Sequence, residues 1–119
     1  MIEKIQLNNI LFLDIETVPE EDNFKALDDE MKLLWEQKTQ YQRRDEYTPE
    51  DFYERAGIWA EFGKIVCISV GYFVNFNSEN RTFRVTSFFG DDEALILNGF
   101  KKLLESHFNK PEHILCAHN

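Results

Sequence analysis

The segment Ile10-Leu11-Phe12-Leu13-Asp14-Ile15-Glu16-Thr17 constrains this chain more than any other. An unbroken apolar run, closed off by Pro19, is the pattern of a strand buried on both faces, as found inside an α/β sheet. Side chains alternate along a strand, so Ile10, Phe12, Asp14 and Glu16 share one face while Leu11, Leu13, Ile15 and Thr17 share the other. The first of these faces turns from apolar to doubly acidic where the strand ends. Two carboxylates about 7 Å apart on a central strand repel each other and lose hydration, a cost that a divalent cation between them removes. Hard oxygen ligands of this kind suit Mg²⁺ or Mn²⁺, and α/β sheets bind ligands at the C-terminal mouth of their strands. The plainer explanation is that Asp14 and Glu16 mark the exposed end of the strand, with Asp14 capping a turn. Context favours the metal, because the pair follows a buried apolar run and a late strand, His113-Ile114-Leu115-Cys116-Ala117, ends beside His118-Asn119.

The rest of the chain supplies the remainder of such a sheet. The run Ile65 to Val74 leads through polar residues 75–81 into Thr82 to Phe89, which predicts a hairpin whose second arm lies nearer a sheet edge. Asp91 or Asp92 then caps a helix in which Ile96, Phe100, Leu103, Leu104 and Phe108 recur at helical spacing, until Asn109-Lys110-Pro111 ends it. The order strand, insertion, strand, strand, helix, strand implies a sheet of mixed direction with the strand of residues 10–16 at its centre. Between the first two strands, residues 20–62 form a different segment. Phe24, Leu27, Met31, Leu34, Lys38 and Tyr41 follow an a/d spacing with Trp35 beside them, which predicts one helix from about Asn23 to Arg44. Thr48-Pro49-Glu50-Asp51 offers the cap, first-turn proline and acidic third position of a second helix toward Trp59.

Composition narrows the function classes. The 119 residues carry 13 Lys and Arg against 22 Asp and Glu, a formal net charge of −9, which excludes a polybasic membrane binder or a sequence-independent nucleic-acid coat. Residues 20–62 hold 13 acidic and 6 basic side chains, so −7 of that charge lies in the insertion. With 43% hydrophobic residues and 11 Phe the chain is built to bury a core. No apolar run has the length of a membrane span and the N-terminus has no signal-peptide pattern, so a cytoplasmic location is expected. Cys67 and Cys116 sit in apolar β-rich runs and read as buried small hydrophobes. His107, His113 and His118 are not spaced as a metal set.

At the level of motifs, Phe12-Leu13-Asp14-Ile15-Glu16-Thr17 resembles the first motif of the DEDD-type 3′–5′ exonucleases, above all the proofreading domain of family B DNA polymerases and its stand-alone bacterial relatives. Residues 62–70 resemble the second strand of that group, Gly90 to Phe100 its acidic helix start, and Leu115-Cys116-Ala117-His118-Asn119 the opening of its second motif. The resemblance implies a ribonuclease H-like fold with a helical insertion, truncated before the last helices and strand, so that residues 1–119 are one partial domain. It implies phosphodiester hydrolysis from the 3′ end of single-stranded nucleic acid by two Mg²⁺ or Mn²⁺ ions. Asp14 and Glu16 would be the catalytic metal ligands, Asp14 touching both ions and Glu16 the one that carries the attacking water. Thr17 and Val18 would line the pocket of the terminal nucleotide, and Asn119 would be a substrate contact. The second-motif Asp and the third motif do not occur before Asn119, which implies a fragment inactive alone, whose uncovered sheet surface self-associates. The competing readings are a non-catalytic interaction module built on the acidic insertion, and another two-metal nuclease on the same fold.

Overall fold

Strand β1 (Ile10–Pro19) occupies the place its apolar run predicts, between two neighbours in a four-stranded sheet of order β3-β2-β1-β4. The structure is a computed structural model and describes residues 4–118. The chain divides into two compact units, one made of the segment up to Glu16 together with Ile65 onward, the other of Thr17–Lys64.

In the first unit, β4 (Ile114–Ala117) lies parallel to β1, with Ile10 opposite Ile114 and Leu13 opposite Ala117. On the other side of the sheet, β2 (Gly63–Val74) and β3 (Thr82–Phe89) form the expected antiparallel hairpin, with Cys67 opposite Phe89 and Val74 opposite Thr82. Asn75 turns this hairpin with a φ of 52°, and its carbonyl accepts the Ser78 hydroxyl at 3.0 Å. The architecture is therefore α/β with a mixed sheet. Helix α3 (Glu93–His107) starts where an acid after Gly90 can hold it, the Asp92 carboxylate accepting the Leu95 N–H at 3.2 Å. Its stripe of Ile96, Phe100, Leu103 and Leu104 covers Leu11, Leu13, Ile68, Val70, Tyr72 and Phe88 on one face of the sheet. Glu93 also ties the helix start to the sheet by accepting the Ile65 N–H at 2.6 Å.

Strand pairing places Ser69 opposite Ser87, Gly71 opposite Val85 and Phe73 opposite Phe83, so these share the other face with Phe12. Among the described residues no helix of this unit covers that face. Val85 is 66% and Phe89 77% exposed, while Leu11, beneath α3, is fully buried. Neither cysteine is buried as expected: Cys67 is half-buried on the face opposite α3, and Cys116 is exposed because β4 is a short edge strand whose four residues are all exposed. Both cysteines are free thiols, as two strand spacings between them require.

The second unit is held by aromatic packing. The helix expected from Asn23 to Arg44 begins later: Phe24–Ala26 is a single 3₁₀ turn, and α1 spans Asp29–Arg43. Two capping residues cause the break. Asn23 accepts the Ala26 N–H, Leu27 is extended, and Asp28 caps anew by accepting the Met31 N–H at 2.8 Å. Trp35 and Thr39 are the buried residues of α1, Met31 and Leu34 of the expected stripe pack against the same core, and Tyr41 is 90% exposed. Thr48 and Pro49 start the second helix as expected, the Thr48 hydroxyl accepting the Asp51 N–H. That helix, α2 (Pro49–Phe52), is one turn long and passes into a 3₁₀ stretch, Tyr53–Ile58. Leu27, Trp35, Phe52, Tyr53, Ala56 and Phe62 form the core. The Trp35 indole donates to the Pro49 carbonyl at 2.8 Å, so the largest buried side chain leaves no polar atom without a partner. No helix among the described residues is long and apolar enough to cross a membrane.

Candidate metal and nucleic-acid site

Alternation along β1 carries Phe12, Asp14 and Glu16 onto the face of the sheet opposite α3. Burial falls along the strand, from Ile10 and Leu11 through half-buried Phe12 and Leu13 to exposed Asp14 and Glu16. The carboxylates therefore stand in the exposed half of a strand whose first residues are fixed in the core, and the strand runs on to Pro19 rather than ending at Glu16 as expected. Asp14 lines a shallow depression of about 220 Å³ whose walls include Phe12, Ser69, Gly71, Phe83 and Val85, and Glu16 lies beyond it. The floor is aromatic: Phe83 meets Phe73 at 5.0 Å and Phe12 at 5.9 Å between ring centroids, both edge to face. Gly71 makes this possible, because a side chain there would occupy the space of the Phe83 ring.

Hard-ion sites draw six or more oxygen ligands, and water completes the shell of an Mg²⁺ held by only one or two carboxylates. Asp14 and Glu16 are ligands of the right chemistry. Among the described residues no group of three or more His, Cys, Asp or Glu side chains could hold a metal ion. A tightly chelated ion at this pair would need further donors.

The other expected site residues divide. Thr17 is exposed, and its hydroxyl donates to the Gly57 carbonyl at 2.6 Å, a link within the second unit. That bond leaves the Thr17 oxygen able to accept but commits its proton. Val18 is 41% exposed, with backbone close against Gly57. Asn119 lies outside the described residues.

No family model, no curated protein and no solved structure matches this chain. The site must be read from its own geometry.

One polar feature of the site has no counterpart among the expected residues. The Ser69 and Ser87 hydroxyls, opposite each other on β2 and β3, bond at 2.8 Å on the face that carries Asp14, and Ser69 lines the same depression. Serines at matched hairpin positions were the available signal, visible only once the register is known.

Proposed function

We propose that this chain carries the Asp14–Glu16 part of a metal-dependent phosphodiesterase site that removes nucleotides from the 3′ ends of single-stranded nucleic acid, on a ribonuclease H-like sheet. One observation carries the reading: two acidic residues at i and i+2 on an inner strand of a mixed sheet, on one face, exposed in the half of the strand that follows the buried apolar run. Exposed on one face, the two carboxylates offer a hydrated Mg²⁺ or Mn²⁺ two hard ligands. When bound, a pair of such ions supplies an activated water and charge stabilisation for the leaving 3′ oxygen. The chain's own contribution is to fix the two carboxylates on a rigid strand. Thr17 and Val18, which follow Glu16 in sequence, are the proposed contacts for the terminal nucleotide; the same role is proposed for Asn119, which lies outside the described residues. The aromatic floor beside Asp14 and the uncovered face around Val85 and Phe89 make a second copy of the chain the proposed cover in its isolated state.

Calorimetric titration with Mn²⁺ tests the core of this reading. Binding in the range of weak hydrated sites is expected, lost in Asp14→Ala and reduced in Glu16→Gln. Unchanged binding in Asp14→Ala moves the site elsewhere. With a 3′-labelled single-stranded oligonucleotide and Mn²⁺, the isolated chain should show no trimming, because ligands beyond Asp14 and Glu16 are needed to hold two ions about 4 Å apart. Robust trimming that survives Asp14→Ala would overturn the assignment. The acidic second unit favours the other reading, a protein-binding module, and that reading gains if Mn²⁺ binding is absent in the unaltered chain.

A further inference from the structure

We draw no further inference here: the strongest candidate, the cavity of about 510 Å³ in the second unit rimmed by Asp22, Glu50 and Glu54, is an acidic cluster with no second observation that points to a ligand, since Lys25 on the same rim already pairs with Glu50 and the Tyr53 hydroxyl already accepts the Glu21 N–H at 3.3 Å.

Discussion

The two units of this chain bury their apolar residues in different ways. The second unit has mainly helical turns, yet it encloses Trp35 and Phe62 completely, with Phe52, Tyr53, Trp59 and Phe62 all within 6.2 Å of the Trp35 ring centroid. The first unit has four paired strands and a fifteen-residue helix, yet closes only one face of its sheet. A helix presents one apolar stripe, so a few turns arranged around one large indole can satisfy each other. A sheet presents two faces, and one helix covers one of them. Secondary-structure content is thus a poor guide to where the core lies: the more regular unit is the more open.

The substitution expected to disturb this contrast most is Trp35→Ala. It removes the ring on which the second unit's aromatic contacts converge and orphans the Pro49 carbonyl, so a loss of about 3–5 kcal/mol is expected. Hydrogen exchange read amide by amide is the informative measurement. Protection should fall throughout residues 29–58, while Leu11, Ile68 and Val70 keep theirs if the two cores are separately maintained. Uniform loss across both sets would show that the division into two units has no energetic counterpart.

Two glycines give a smaller and more discriminating test. A methyl group at Gly63 would lie 2.5 Å from the Gly57 carbonyl oxygen and 3.0 Å from that of Trp59, both backbone atoms that cannot swing aside. Gly63→Ala should therefore cost about 1–3 kcal/mol. At Gly71 the obstacle is the Phe83 ring, the mobile end of a side chain that is already 48% exposed. Gly71→Ala should cost about 1 kcal/mol or less, the lost ring contact being offset in part by the better strand propensity of alanine. Denaturant midpoints with unchanged slope would confirm the ranking, and a reversed order would mean that Phe83 is held more firmly than its exposure suggests.

The parts legible from sequence are those in which one residue pattern has one structural solution. Ile10 to Leu13 is apolar on both faces, which places β1 in the sheet interior, and the observed strand order follows from it. The stripe Ile96, Phe100, Leu103, Leu104 has a single helical phase, and α3 packs by it. The insertion was harder because a second cap lets a helix restart. A seam drawn from Phe24 assumes an unbroken helix, but Asn23 and Asp28 are both good caps and Asp29 and Glu30 suit a first turn, so the chain turns once, extends at Leu27 and begins again. Leu27, Met31, Leu34 and Trp35 of the expected stripe do face the core; what the unbroken reading misplaces is the helix start and Tyr41, which is exposed. For the candidate site, alternation alone put Asp14 and Glu16 on one face. The neighbours of Asp14 come from β2 and β3, and only strand register brings Ser69, Gly71 and Phe83 beside it.

The smallest expected effect bears directly on the open face. Val70 and Val85 are both strand valines of the first unit, but Val70 is 1% exposed under α3 and Val85 is 66% exposed on the opposite side. Val→Thr keeps β-branching and nearly keeps volume, so it isolates the cost of placing a hydroxyl. At Val70 the hydroxyl enters an apolar layer with no acceptor aimed at it, and about 1–3 kcal/mol should be lost. At Val85 solvent supplies the partners and stability should change by about 0.5 kcal/mol or less. If a second copy covers this face in solution, Val85→Thr should weaken the association in sedimentation equilibrium while leaving the unfolding midpoint of the dilute protein in place. Equal destabilisation at the two positions would mean that Val85 is buried in the isolated chain, and the face opposite α3 could not then be the open side of the sheet.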